Sequence, residues 1–208
     1  MSTVLGQFFE VPQSQQHHGY LKIVFSPVRF MPLKQFWHAK NLSATFIADY
    51  FNTFYADQFN ESLTQAQQEE IDDLWNSIRY VTNELIGNIL KFQAEAAGVD
   101  AEVCLYMRDK TRLVFCIIHA VTEEQATVYQ AHIQKLLTSE IETLYAETLI
   151  KDGSDLSLHS SGLGLISMIC DHDAQLGWKF EPLPSDGAKT YFKATTTAQL
   201  LLENDDHA

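Results

Sequence analysis

After Gln65 the residues Ile71, Leu74, Trp75, Ile78, Val81, Leu85 and Ile89 recur at helical spacing, and two β-rich runs, AEVCLYMR and LVFCIIHA, follow them directly. The first pattern is a long amphipathic helix with one apolar stripe. The second is a hairpin turning at Asp109-Lys110-Thr111. A helix with a single apolar face must bury it on a neighbouring layer, which points to helices laid on a sheet. Thr64-Gln65-Ala66-Gln67 spells a capping box, and Glu69, Glu70, Asp72 and Asp73 suit the positive end of the helix dipole. Gly98 is the expected stop.

The flanking segments extend this scheme. YLKIVFS, 20–26, reads as a strand ended by Pro27 and Pro32. In NLSATFIADYFNTFY the residues Phe46, Ile47, Tyr50, Phe51 and Phe54 predict a helix with Ser43 as N-cap. The aromatic stretch 30–37 between them fits either core or docking surface. Beyond Thr122, EEQATVYQAHIQKLL is helical, and a box from Ser139 to Glu142 restarts the helix as SEIETLYAETLI. KDGSDLSLHSSG reads as a polar loop, GLGLISMICD as a turn into a short buried helix, and LGWKFEP with AKTYFKATTT as a closing hairpin across 183–187. The fold class is therefore α+β: a two-layer sandwich of a mixed, largely antiparallel sheet with helices on one face. Residues 1–62 are expected to form a strand–helix extension packed on the core, 63–199 the main domain, and 200–208 an acidic tail.

Composition excludes several function classes. The 208 residues carry 14 basic and 27 acidic side chains, a formal net charge of -13, with Lys and Arg scattered singly. Such a chain repels nucleic acid and anionic membrane. It has no basic leader with an apolar run and no stretch near the roughly 18 apolar residues of a span, so a soluble cytoplasmic protein is expected. Cys104, Cys116 and Cys170 are odd in number and set in apolar runs, which suits free thiols in a reducing compartment. His17 and His18 have no metal-ligand spacing around them.

Two constellations carry chemistry. Glu84, Asn88 and Lys91 lie at intervals of four and three on one face of the long helix. They form either a solvated stripe or one wall of a site. Ser160-Ser161-Gly162-Leu163-Gly164-Leu165 places two glycines where a loop enters a helix. It is either a tight turn or a phosphate cradle made of free backbone N–H groups.

Together, NELIGNILKF and SSGLGL resemble the N-box and second glycine box of the histidine-kinase-like (GHKL, Bergerat-fold) ATPase superfamily, in its anti-sigma-factor serine-kinase branch. The segments from about Phe8 to about Thr196 are further similar to small bacterial, often cyanobacterial, regulators related to the SiaB family of protein kinases. The resemblance implies that Glu84 is base or acceptor-orienting group, that Asn88 holds Mg²⁺ beside ATP, and that Lys91 contacts phosphate. It likewise implies that Ser161, Gly162, Leu163, Gly164 and Leu165 fold over the triphosphate. The implied partner is a STAS-domain, anti-sigma-antagonist-like protein, and related kinases are often dimers, so a homodimer is implied too. The sequence departs from the superfamily where an Asp-x-Gly-x-Gly box normally reads adenine: here stands CIIHAVTEEQ, with neither Asp nor Gly between Leu113 and Gln125. His119 stands there as either a base contact or a buried strand-end histidine. Two functions remain open, an ATP- and Mg²⁺-dependent Ser/Thr kinase or switch, and a module of the same fold that has lost catalysis and regulates by contact alone.

Overall fold

A computed structural model describes residues 2–10, 19–25, 33–56, 64–94, 97–109, 111–152, 162–184 and 189–202. In chain order these form β1 (Thr3–Gly6), β2 (Leu21–Phe25), α1 (Leu33–Ala56), α2 (Gln65–Phe92), β3 (Ala101–Asp109), β4 (Arg112–Thr122), α3 (Glu123–Thr138), α4 (Ile141–Asp152), α5 (Leu163–Cys170), β5 (Gln175–Pro182) and β6 (Tyr191–Leu201). The strands make one sheet in the order β1-β5-β6-β4-β3-β2. Every described pairing is antiparallel, so the α+β sandwich expected from the sequence is present without a parallel pair.

Strand alternation gives the sheet one helix-bearing face. Val103, Leu105, Leu113, Phe115, Ile117, Ala198, Leu176, Trp178 and Phe180 point into a core shared with Ile78, Val81, Leu85 and Ile89 of α2 and Ile133 of α3. Each fully buried aliphatic of α2 contributes about 1.5–3 kcal/mol relative to exposure. The α2 stripe therefore fixes that helix in rotation as well as in place. The opposite face carries Cys104 and Cys116, directly paired across β3 and β4 and both buried free thiols; Cys170 is a partly buried free thiol. The segment after β1 covers part of that face: Phe9 N–H donates to Thr197 Oγ1 at 3.3 Å, and the Tyr106 hydroxyl donates to the Glu10 carbonyl at 3.3 Å.

Helix boundaries follow the capping chemistry at α2 and α3, with three corrections. Ser139 does not open a box with Glu142: it caps the end of α3, its N–H donating to the Lys135 carbonyl at 3.0 Å, and α4 is entered at Glu140. Thr64 and Gln67 make the expected reciprocal box at the start of α2, and Thr122 and Gln125 make another at the start of α3. Ser43 is not an N-cap: α1 already runs from Leu33, because Ala44, Ile47, Ala48 and Phe51 continue one buried stripe and no breaker stands between them. Gly98 does not end α2. The helix stops at Phe92, where the Gln93 side chain leaves the helix path to donate to the Val99 carbonyl at 2.8 Å and accept from Ala120 N–H at 3.1 Å. Ala94 N–H also donates to the Ala120 carbonyl at 2.7 Å, so the end of α2 is stapled to β4. The loop at 153–161, the turn residues 185–188, the tail 203–208, His17, His18 and residues 30–32 lie outside the described residues. Among the described residues no helix is long and apolar enough to cross a membrane.

His119 belongs to the helix-bearing face and is fully buried. Burial pushes its pKa down from 6.5 to about 4. Between those values the unfolded chain binds a proton that the folded chain refuses, so stability present above pH 6.5 is lost as the pH falls toward 4. The loss amounts to roughly 3 kcal/mol for this side chain. Melting temperatures of His119→Leu between pH 7 and 4 should fall less steeply than those of the parent; an identical acid slope would show that His119 does not titrate on unfolding.

Candidate functional site

On α2 the residues Tyr80, Glu84, Asn88 and Phe92 follow one another at intervals of four, forming a stripe beside the buried one. Because Val81, Leu85 and Ile89 are held on the sheet, this second stripe is turned toward α3 and the start of α5. There it lines a cavity of about 430 Å³, closed on the other sides by Val128, Tyr129 and His132 of α3 and by Gly162, Leu163, Gly164 and Leu165. That volume lies within the usual range for a small-molecule site.

The two glycines have separate reasons. Gly162 caps α5 with φ +73°, a left-handed conformation that side chains rarely adopt, and any Cβ there would also overlap the His132 imidazole. Gly164 lies inside the helix, and a Cβ on it would overlap the Glu84 carboxylate. The carboxylate of α2 thus packs directly on the first turn of α5, the end of that helix where free N–H groups and the dipole favour negative charge.

The titratable groups of the pocket are tuned chiefly by burial. Burial holds His132 below the usual histidine range, helped by Lys135, so its imidazole is neutral at pH 7. Burial raises the Tyr80 phenol; a hydrogen bond with Ser167 opposes this, and the Glu84 carboxylate adds to it. Tyr80 also packs on His172 with ring centres 4.6 Å apart, and His172 Nδ1 is 2.9 Å from Ser77 Oγ. Behind that pair runs a separate groove of about 500 Å³ carrying Glu69, Glu70, Asp73, Asp171 and Asp173. Deeper in the first cavity, Tyr129 stacks on Phe92 at 5.3 Å and 15° and accepts a hydrogen bond from Trp178 Nε1 at 3.2 Å.

Glu84, Asn88, Gly162, Leu163, Gly164 and Leu165 therefore meet around one cavity. Lys91 lies on the same helix, one residue before its end, and its side chain is outside the description. Ser161 lies outside the described residues. The sequence reading missed Tyr80, Phe92, Val128, Tyr129 and His132. Tyr80 and Phe92 were available as the residues four before Glu84 and four after Asn88. Nothing local connects His132 to Gly162, because their contact is made only by the tertiary fold.

For Mg²⁺ the fit is through oxygen. Among the described residues no group of three or more His, Cys, Asp or Glu could hold a metal ion. Mg²⁺ bound with a nucleotide keeps most of its waters and takes only one or two protein oxygens. Asn88, on the cavity wall, would offer its amide oxygen to such an ion.

No protein-family model and no curated protein matches the chain. Among solved structures it is similar to a chain of the SiaB–SiaC complex from Pseudomonas aeruginosa, with TM-score 0.48 and 16% identity, over 87% of this chain and 89% of that one.

The Glu84–Gly164 contact yields a sign reversal. Gly164→Ala alone should destabilise the protein by about 1–3 kcal/mol, the cost of overpacking. In a Glu84→Ala background the same change should stabilise by up to about 1 kcal/mol, because alanine is the better helix former and the obstructing atoms are gone. Urea unfolding of the four proteins measures this coupling; additive effects would place Glu84 away from α5.

Proposed function

We propose that the chain is an ATP- and Mg²⁺-binding regulatory protein that transfers phosphate to a Ser or Thr of a STAS-like partner. The observation that carries this reading is the convergence of Glu84, Asn88 and the Gly162–Gly164 turn on one cavity, from segments far apart in the chain. A phosphate chain laid along the first turn of α5 would meet free N–H groups. Asn88 would hold Mg²⁺, which when bound supplies neutralisation of phosphate charge. Lys91, by its resemblance to the superfamily position, is assigned to phosphate.

The chemistry asked of the protein is modest. Phosphoryl transfer depends mainly on positioning and charge stabilisation. In the proposed step the acceptor hydroxyl oxygen bonds to the terminal phosphorus, the bond to the leaving diphosphate breaks, and the hydroxyl proton passes to the Glu84 carboxylate. His132 and Tyr80 line the same cavity as that carboxylate. The partner assignment rests on the sequence resemblance.

A second reading is favoured by one specific contact. The Glu84 carboxylate occupies the surface of α5 at Gly164, where a phosphate would also lie. In a module that has lost catalysis this carboxylate would serve as a permanent cap of α5, and regulation would proceed by protein contact alone.

Melting with and without Mg-ATP separates these readings. Ligand at a hundred times its dissociation constant adds about 2.7 kcal/mol, or roughly 5–10 °C for a chain of this size. The kinase reading predicts that shift, its loss of Mg²⁺ dependence in Asn88→Ala, and phosphate transfer to a STAS-like partner reduced about 10²–10⁴-fold in Glu84→Ala. No shift at millimolar Mg-ATP rejects the kinase reading and selects the module that acts by contact alone, and a shift without transfer to a STAS-like partner leaves nucleotide binding but rejects the kinase step.

A further inference from the structure

Cys104 and Cys116 stand directly opposite each other in the antiparallel β3–β4 pair. Directly opposed residues of such a pair have Cα atoms roughly 4.5–5.5 Å apart, whichever of the two hydrogen-bonding positions they occupy. A disulfide needs about 4.4–6.8 Å. Register alone therefore meets the backbone requirement for a bond between the two sulfurs, and both side chains leave the same face of the sheet. The fit at Cβ is looser, about 4.5–5.5 Å for opposed residues against about 3.5–4.5 Å in a disulfide. Closing the bond draws the strands together, and disulfides strained in this way are the readily reduced ones.

The pair belongs to the face turned away from the helices. Across the sheet, from β5 to β2, its rank reads Gly177, Thr197, Cys116, Cys104, Lys22. The segment after β1 covers the β5 end of this rank: a Cβ on Gly177 would collide with the backbone of Gln7 and Phe8, and Phe9 N–H donates to Thr197 Oγ1. Tyr20 covers the other end, its hydroxyl donating to Cys104 Sγ at 3.5 Å.

The two buried thiols are not equivalent. Burial raises the Cys104 thiol, while the Tyr20 hydroxyl and the ammonium of Lys22, its neighbour on β2, oppose the rise. Burial pushes the Cys116 thiol well above the usual range, and Cys104 adds to that. Cys104 is thus the better attacking sulfur and Cys116 the resolving one.

We propose that Cys104 and Cys116 form a reversible dithiol–disulfide couple, a modification site operated by small-molecule disulfides. The Cys104 thiolate attacks the S–S bond of the reagent, which leaves a mixed disulfide and releases one thiolate. The Cys116 thiolate then attacks Cys104 Sγ and displaces the second thiolate. The two protons of the protein thiols end on the two released thiols, and the two electrons given up by the cysteines reduce the reagent. Cys170, at the end of α5 on the other side of the sheet, takes no part. The couple does not rest on the proposed nucleotide site, which lies on the helix-bearing side.

Incubation of the folded full chain in oxidised glutathione tests the proposal, beside a second arm unfolded in urea and refolded in the same buffer. The refolded arm removes access to the buried sulfurs as a variable. Intact mass and peptide mapping should show loss of two hydrogens, a Cys104–Cys116 link and a free Cys170 in both arms, more slowly in the folded one. The bond should reopen in reduced glutathione. Cys116→Ser should trap a glutathione adduct on Cys104, and Cys104→Ser should accumulate less adduct on Cys116, as the attacking and resolving roles require. Free thiols in both arms, a lasting glutathione adduct in place of closure, or a link to Cys170 overturns the pairing. Closure only on refolding, or a bond that reduced glutathione leaves intact, overturns the reversible couple in the folded protein.

Discussion

The burial of the α2 stripe on the sheet is the constraint from which the site follows. With Ile78, Val81, Leu85 and Ile89 fixed against β3, β4 and the closing strands, helical geometry leaves no choice about where Glu84 and Asn88 point. The staple of Gln93 and Ala94 to Ala120 then fixes the height of the helix on the sheet. Rotation and height together bring Glu84 onto Gly164. The same packing energy that holds the domain together thereby positions the carboxylate, and no separate local device is needed.

What sequence could show divides along the distance over which each feature is specified. The long helix, the two hairpins and the Thr64–Gln67 box depend on neighbours within a few residues, and all were legible. β1 was not. Its four residues are too few for a reliable alternation, and its partner, β5, lies far along the chain. Ser43 and Gly98 failed for a related reason. Each is a good local signal, overridden in one case by a buried stripe that continues through it and in the other by Gln93, whose side chain finds better partners on β4 and at Val99.

The candidate site divides in the same way. Glu84 and Asn88 announce themselves because polar residues break an apolar helix at regular spacing, and Gly162 with Gly164 because paired glycines mark close approach. What approaches them is specified only in three dimensions. His132 accounts for one glycine and Glu84 for the other. His119 shows the limit most clearly: its place at the end of a strand allowed either a base contact or a buried residue, and the fold makes it fully buried yet without a protein partner for either nitrogen among the described residues.

We propose that one pocket, between α2, α3 and the start of α5, receives the metal–nucleotide. The acidic groove behind Tyr80 and His172 is its natural competitor for any divalent cation. Paramagnetic broadening of backbone amide resonances on adding Mn²⁺ with ATP distinguishes the two directly. The nucleotide-dependent reading predicts broadening centred on Glu84, Asn88, His132, Gly162 and Gly164 that vanishes when ATP is withheld. Broadening centred instead on Glu69, Asp73, Asp171 and Asp173, and unchanged when ATP is withheld, would contradict it.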